Sequence, residues 1–583
     1  MNPTKQDAGQ SAAVLKKLLV LIRRHGGALI FSLILAAASV ILQLYVPILF
    51  GDAIDQITAA HQVRFDAMGR SLIQILCVVL ISAGCTYGMN LLNNRITFRV
   101  VQDLRSQAMH HIQKLPISYL DQHSSGDLVS RVIADTDVLS DGLLLGFTQL
   151  FSGVVTIVAT LIFMFSKSVP VSLLVVLLTP LSFLVARFIS RRSYQLFRRQ
   201  SEIRGRQTAL TDEMISGQKV VRAFGYEERA STRFAAVNRE LAQCSQQAVF
   251  YSSLTNPCTR FVNNLIYAGV ALMGIVLIGR GSLSVGGLSV LLAYANQYMK
   301  PFNDISAVVT ELQNALACAG RMFALLEQPA EAPDAPGTLE AVQGQVSCSH
   351  VSFRYQPDHP LIEDFNLQVQ PGMRVAIVGP TGCGKTTLIN LLMRFYDPLG
   401  GTIAIDGTPA SALSRRALRS CFGMVLQDTW LKGGTVRENI AFGRPDAPEE
   451  AVIEAAKSAH CWDFITRLPQ GLDTVLTPGS LSQGQKQLLC IARVMLCQPP
   501  MLILDEATSS IDTRTEVLVQ KAFDTLMQGR TSFVVAHRLS TIRDASLILV
   551  MRDGKIIEQG RHEELLSAGG FYARLYNSQF QAS

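Results

Sequence analysis

Six long apolar stretches, set among polar segments of very unequal length, constrain this chain more than any other feature. They run over about 27–50, 70–92, 142–165, 168–189, 250–279 and 282–306. A helix crosses a bilayer core with roughly 20 apolar residues, so each stretch is long enough to span. Only FSKSV separates the third from the fourth, and only GRGSLS the fifth from the sixth. The segments 93–141 and 190–249 are instead long, polar and helix-patterned.

Charge gives the orientation. The second long segment carries Arg191, Arg192, Arg198, Arg199, Arg204, Arg206, Lys219 and Arg222, whereas the short loops carry little beyond Lys167 and Arg280. Cationic loops stay on the cytoplasmic side. Both termini and both long segments are therefore expected in the cytoplasm, with the chain multi-pass in the cell (inner or plasma) membrane. The N-terminus, MNPTKQDAGQSAAVLKKLLVLIRRHGG, has no small-residue signal-peptide cleavage site and reads as a cytoplasmic lead-in to the first span.

At 583 residues the chain is too long for one core. Only 17% of its residues are charged, and the apolar excess lies in the first half. The formal charge of +7 comes without a Lys/Arg block interleaved with aromatics, so no nucleic-acid partner is expected. Eleven scattered cysteines, with no CxxC or Cys/His cluster, argue against a zinc site or a disulfide framework.

Residues 327–344, EQPAEAPDAPGTLEAVQG, lack apolar periodicity and read as a linker between a membrane domain, 1–326, and a nucleotide-binding domain, 345–583. In the latter, the strand-like runs VAIVG, MLILD and TSFVVAH alternate with helical patterns, as a parallel sheet requires. The expected fold is an α-helical polytopic membrane domain, six transmembrane helices with long cytoplasmic extensions, plus an α/β P-loop nucleotide-binding domain.

GPTGCGKTT, comprising Gly379, Pro380, Thr381, Gly382, Cys383, Gly384, Lys385, Thr386 and Thr387, follows the strand-like RVAIV and precedes the helix-like TLINLLMRFY. Its glycines let backbone amides close around phosphates, Lys385 reaches the β and γ phosphates of ATP, and the Thr386 hydroxyl suits Mg²⁺. MLILDEATSS ends an apolar strand in two acids. Asp505 is the expected Mg²⁺ partner and Glu506 the acid that polarises the attacking water. LTPGSLSQGQKQLLCIARVML, residues 476–496, opens a helix at Ser482, Gln483, Gly484 and Gln485, where free backbone N–H groups suit an anion.

Together these residues resemble the ATP-binding cassette transporters, specifically exporter-type half-transporters with six membrane helices fused to one nucleotide-binding domain. The resemblance covers nearly the whole chain. It implies that Gln427 in MVLQD contacts the γ-phosphate and Mg²⁺, that His537 in VVAHRLS is the switch histidine, and that Tyr355 in FRYQP stacks on adenine. LSQGQ resembles the signature LSGGQ, which reads the γ-phosphate on the opposing domain, so Ser482, Gly484 and Gln485 would complete a second chain's site. One P-loop and one signature per chain imply pairing with a second half-transporter.

The departures from the family pattern are Gln483 within the signature, TPGS before it, and SSID after the catalytic acid where SALD is common. With Glu506 present, they resemble the catalytically intact subunit of heterodimeric exporters, which favours a heterodimer over a homodimer. The segments 118–137 and 222–234 occupy the positions of the family's coupling helices. Arg260, Asn263, Asn264, Asn296, Gln297, Lys300, Asn303 and Asp304 place polar groups inside spans five and six, where they are costly against lipid and are expected to face a cavity or neighbours. The implied activity is ATP-hydrolysing export of amphipathic small molecules, lipids or peptides by alternating access. Import of metal chelates by the same fold and an ATP-gated channel or regulator are the alternatives.

Overall fold

The computed structural model describes residues 5–57, 65–426, 429–477, 479–505, 511–535 and 542–580, apart from a few helical side chains, Asn303 and Asp304 among them. The chain divides into two compact units: Met1–Gln113 with Ser124–Pro329, and Lys114–His123 with Ala330–Ser583.

The first unit is helical throughout its described residues. It comprises α1 (Lys5–Arg23), α2 (Gly26–Asp55), α3 (Phe65–Ile112), then, beyond the short α4 (Ile117–Gln122) that belongs to the second unit, α5 (Ser125–Val132) and α6 (Ala134–Leu145). A π-turn at Gly146–Leu150 leads into α7 (Phe151–Lys167), followed by α8 (Val169–Ser216), α9 (Gln218–Ala223), α10 (Glu227–Ser253), α11 (Thr255–Gly279) and α12 (Val285–Leu326). Each of the six apolar stretches is helical over most of its length, with a break at Leu254 in the fifth. Among the described residues, four helical runs have membrane-length apolar windows, Gly26–Asp55, Met68–Ile112, Ser125–Lys167 and Glu227–Gly279, and α8 adds a shorter one, Val169–Leu181. At 48 residues each, α3 and α8 are ~72 Å long, more than twice a hydrocarbon core of about 30 Å, so much of each lies outside the bilayer.

Lipid tails give helices little reason to associate, so small polar side chains and close packing must do it. Between α2 and α3, Ser32 donates to Asn93 Oδ1 at 2.5 Å, and the Ser39 and Thr86 hydroxyls pair at 2.7 Å. The fully buried Tyr294 of α12 donates its hydroxyl to the Leu44 carbonyl of α2 at 2.7 Å. The polar extensions are held differently: Arg206 grips Glu240 through both carboxylate oxygens at 2.9 Å, and Arg321 grips Asp135 at 2.6 and 2.8 Å.

The end of α2 meets the start of α12 at a joint of two glycines. A Cβ on Gly286 would lie 2.0 Å from the Gly51 carbonyl oxygen, and one on Gly51 would lie 2.5 Å from Val290. Asp55 accepts from the Gly286 N–H at 2.7 Å and the Ser284 hydroxyl at 2.6 Å, filling donors that the first turn of α12 leaves open. Gly286→Val therefore forces the helices apart, at about 1–3 kcal/mol or more for overpacking. We expect a lower aggregation temperature for the detergent-solubilised variant by fluorescence-detected size exclusion, and a smaller drop for Asp55→Ala.

The second unit carries two main sheets. Its elements run β1 (Val346–Phe353), β2 (Ile362–Val369), β3 (Arg374–Val378), α13 (Lys385–Leu392), β4 (Gly400–Ile405), β5 (Thr408–Pro409), α14 (Arg415–Ser420) and β6 (Phe422–Val425). There follow β7 (Gly434–Thr435), α15 (Val436–Ile440), α16 (Glu449–Ser458), α17 (Trp462–Ile465), β8 (Val475–Leu476), α18 (Gln483–Cys497), β9 (Met501–Asp505) and α19 (Thr513–Met527). β10 (Thr531–Val535), β11 (Leu547–Arg552) and β12 (Lys555–Gly560) precede two short helices, His562–Ser567 and Phe571–Phe580. One sheet has the order β2-β1-β4-β5 and is antiparallel; the other is β12-β11-β3-β10-β9-β6, parallel except at β12. The inner strands are buried on both faces, which is why RVAIV, MLILD and TSFVV read as continuous apolar runs.

The stretch 330–344 is not loose. Buried Arg415 reaches Glu331 at 2.9 Å, Asp334 at 2.7 Å and the Ala332 carbonyl at 2.8 Å. The Asp406 carboxylate accepts from the backbone N–H groups of Gln343 and Gln345, each at 2.8 Å. Polar contacts, together with Leu339 and Val342 packed against the core of the second unit, fix a segment that has no apolar periodicity. Breaking a fully buried ion pair costs about 3–5 kcal/mol, and Arg415, buried but with partly exposed partners, contributes less than that. Arg415→Ala is accordingly expected to speed Glu-C cleavage after Glu331 at least about tenfold, read from the two fragments on a gel; equal cleavage rates would contradict the clamp.

Candidate functional site

Strand register assembles the site. β10 lies between β3 and β9, and Val535 pairs with both Ile377 and Asp505. The P-loop begins two residues beyond Ile377, so Asp505 and the P-loop emerge from the same carboxyl edge of the parallel sheet. That edge is where open α/β sheets bind ligands.

The P-loop is shaped by glycine. Gly382 (φ +84°) and Gly384 (φ +100°) hold left-handed backbone that other residues rarely adopt, and Gly384 caps α13. A Cβ on Gly379 would sit 2.2 Å from the Met551 carbonyl oxygen. Cys383 is buried, and its carbonyl accepts from the Gly554 N–H at 3.2 Å. Lys385 Nζ donates to the carbonyls of Gly379 at 2.8 Å and Pro380 at 2.9 Å, folding back over the loop's entrance. Pro380, Thr381 and Thr386 are exposed, whereas Thr387 is buried. The first-turn amides of α13 lack intrahelical acceptors and present positive ends to an anion.

Tyr355 belongs to a cluster of three rings. It meets Phe353 edge-on at 4.9 Å and Tyr396 edge-on at 5.0 Å, and Phe353 meets Tyr396 at 5.5 Å. The Asn390 amide on α13 donates to its hydroxyl at 3.3 Å, tying this ring to the P-loop helix. Tyr355 keeps an exposed face for a flat partner. Tyr396 and Asn390 were not singled out from the sequence; neither lies in a recognisable motif turn, and only the fold brings them to Tyr355.

At the signature, Ser482 and Gln485 form a reciprocal cap. The Gln485 N–H donates to Ser482 Oγ at 3.3 Å, and the Ser482 N–H to Gln485 Oε1 at 2.9 Å. The S-x-x-Q spacing is a legible capping-box pattern. Gly484 is buried against α19, where a Cβ would lie 2.4 Å from Thr515. Gln483 donates to the Thr429 hydroxyl at 3.2 Å. α13 packs in one apolar cluster, with Phe365, Ile377 and Phe533; α18 packs in another, with Val425, Leu504 and Phe523. The phosphate loop and the signature thus rest on separate parts of the domain. Gln427, Glu506 and His537 lie outside the described residues.

Among the described residues no three His, Cys, Asp or Glu side chains gather around a common point. The groups suited to Mg²⁺ are Thr386, whose hydroxyl is exposed at the start of α13, and Asp505 at the end of β9. Two oxygen ligands with the rest from water and phosphate is the habit of Mg²⁺ in nucleotide sites.

A sheet edge with a phosphate loop, fused to a helical membrane unit, defines an ATP-driven membrane transporter. Residues 29–302 match the ABC transporter transmembrane region and residues 362–509 the ABC transporter domain. The chain belongs to the ABC transporter family, in the fused arrangement of half-transporters. It is 43% identical to a fatty acid ABC transporter ATP-binding/permease protein of Mycobacterium bovis, over 88% of this chain and 82% of that one. It is 33% identical to an ATP-dependent lipid A-core flippase of Syntrophus aciditrophicus, over 99% and 96% respectively. A bacterial Atm1-family ABC exporter solved with ATP bound superimposes with a TM-score of 0.76 at 29% identity, covering 96% of this chain and 99% of that one. The membrane-embedded helical domain, the α/β nucleotide-binding domain, ATP hydrolysis coupled to transport, the exporter fold and pairing of half-transporters follow.

Gly484 offers a test of the signature. A valine there pushes α18 from α19 at a point where 1 Å of displacement is worth up to about 100-fold in rate. Gly484→Val is expected to lower ATP hydrolysis by the assembled transporter at least about tenfold while a fluorescent ATP analogue binds within threefold of the parent.

Proposed function

We propose that this chain is the ATP-hydrolysing subunit of an exporter that moves amphipathic molecules, lipids foremost, out of the cytoplasmic leaflet. The observation that carries the ATPase half is the register placing Asp505 and the P-loop on one sheet edge. ATP binds with its phosphates against the amides of Gly382–Thr387, and its base lies on Tyr355. Lys385 leaves the Gly379 and Pro380 carbonyls to meet the β and γ phosphates. Thr386 and Asp505, with Gln427 in the family pattern, would hold Mg²⁺, whose charge would offset that of the phosphates. Glu506 orients and polarises the attacking water, and His537 positions the γ-phosphate. Ser482, Gly484 and Gln485 serve the nucleotide on the opposing chain, so closing two domains over ATP completes both pockets, and hydrolysis removes the shared phosphate.

The nucleotide-binding domain and both termini face the cytoplasm on this reading, the membrane being the cell's inner or plasma membrane. Lipid substrates are supported by the relatives named for fatty acid and lipid A-core. They are also supported by half-buried Asn263 and Gln297, whose side-chain oxygens are shielded from solvent without a hydrogen-bond partner. These two amide oxygens, among the polar residues that spans five and six carry, suit a headgroup or a carboxylic acid donor beside acyl chains.

The partner we propose is a different half-transporter. Its support is Gln483, which stands where the family pattern has Gly and brings an exposed amide to the surface that meets the opposing phosphate. The second cytoplasmic segment, with Phe224 83% exposed beside Glu227 and Glu228, suits docking on the partner's nucleotide-binding domain.

Glu506→Gln is expected to bind ATP, hydrolyse it at least about 100-fold more slowly, and hold a closed pair on size exclusion. In proteoliposomes, a fluorescent acyl lipid should leave the ATP-exposed leaflet, and the variant should abolish this movement. Movement in the opposite direction would support import instead. Full ATPase and transport by the chain purified alone would replace the heterodimer with a homodimer.

A further inference from the structure

Helix α4 is the one part of the first cytoplasmic segment that falls in the second unit. Its Asp121 carboxylate accepts a hydrogen bond from the Tyr396 hydroxyl at 2.6 Å. Tyr396 is the ring that packs edge-on against Tyr355 at 5.0 Å, with an interplanar angle of 88°. Three groups from distant parts of the chain thus touch in sequence: Tyr355 after β1, Tyr396 after α13, and Asp121 between α3 and α5.

We propose that Tyr396 is a positioning residue that couples occupation of the base platform to the docking of α4, its ring sensing Tyr355 and its hydroxyl holding Asp121. The proposal rests on the reading of Tyr355 as the platform for adenine.

The physical case has three steps. An edge-to-face ring pair has a narrow range of favourable geometry, so a base laid on the exposed face of Tyr355 restricts the ring that Tyr396 packs against. Tyr396 is half-buried, held by two ring contacts, and has a single rotatable hydroxyl left to place. Burial first, and the Asp121 carboxylate second, push that hydroxyl above the ordinary phenol range, so it remains a donor. Asp121 is exposed, so the bond is modest and reversible, as a reporting contact must be. Coupling of this kind is reciprocal: if the base favours docking of α4, docked α4 favours the base by the same factor.

Only the Tyr396 hydroxyl distinguishes this from ordinary packing. Tyr396→Phe keeps all three rings and removes the donor; Asp121→Ala removes the acceptor. The measurement is amide hydrogen exchange over residues 114–123 of the full chain, assembled in lipid nanodiscs, without nucleotide, with Mg-ADP, and with Mg-tripolyphosphate, which has no base. Mg-ADP is expected to slow exchange there by about three- to tenfold, the worth of one such bond, and tripolyphosphate by less than twofold. In Tyr396→Phe and Asp121→Ala the slowing by ADP should vanish while ADP affinity falls by no more than about the same three- to tenfold. Undiminished slowing in Tyr396→Phe, or an equal response to tripolyphosphate, overturns the relay. ADP affinity of Tyr355→Ala separates the two ideas: unchanged affinity removes the base platform and the relay with it, whereas weakened affinity with a normal Tyr396→Phe response removes the relay alone.

Discussion

Backbone amides can close on a phosphate only where no side chain stands in the way, and the nucleotide-binding unit is built around that constraint. Gly382 and Gly384 supply the left-handed turns, but glycine is needed on the far side of the loop as well. Gly379 lies against the Met551 carbonyl, and Gly554, in the turn after β11, passes so close to Leu361 that a Cβ would overlap its carbonyl oxygen. The Gly554 N–H then braces the loop from below through Cys383. The loop is therefore held by β3 at one end, α13 at the other and the β11–β12 turn beneath, and arrives at the ligand already shaped. Preorganisation of this sort avoids reorganising the donors when charge develops on the phosphoryl group.

The membrane unit solves a different problem with similar means. Apolar side chains gain little from leaving lipid for one another, so specificity comes from where backbones can touch and where polar atoms pair. Ser32 with Asn93, Ser39 with Thr86, and Tyr294 with the Leu44 carbonyl fix α2 against α3 and α12. Gly51 and Gly286 let the ends of α2 and α12 meet, and Asp55 answers the open donors there. Among the described residues Asn263 and Gln297 are two of several side chains in this unit with a buried polar atom that finds no hydrogen-bond partner.

Much of this was legible in the sequence because it follows from local pattern. Membrane-length apolar runs, the alternation of strand and helix, and the P-loop between RVAIV and its helix each declare themselves within about 20 residues. What was not legible depends on contacts between distant residues. The Pro- and Ala-rich stretch after α12 looks like a free linker, because nothing in its composition announces that Arg415 and Asp406, some 60–85 residues on, will satisfy its polar groups. The cluster of Phe353, Tyr355 and Tyr396 is equally silent, and the Tyr396–Asp121 bond spans 275 residues. Gln483 could be read as a departure from the family pattern, but its bond to Thr429 could not. The roles of Gln427, Glu506 and His537 rest on motif and family pattern, since these residues lie outside the described structure.

Two segments contiguous with membrane helices enter the second unit, and they are held by different contacts. The stretch following α12 is fixed by a buried arginine with two partly exposed acidic partners and a carbonyl. Helix α4 is held by the exposed Tyr396–Asp121 bond and, just before its start, by the Glu331 N–H donating to the Lys114 carbonyl at 2.8 Å, each worth about 1 kcal/mol, together with buried Leu115 and the half-buried side chains of Ile117–Leu120. A ligand shifts an equilibrium only by its differential affinity for the two states, so of these contacts the exposed Tyr396–Asp121 bond, near about 1 kcal/mol, is the one a bound base is proposed to bias. The Lys114–Glu331 bond joins the two segments directly.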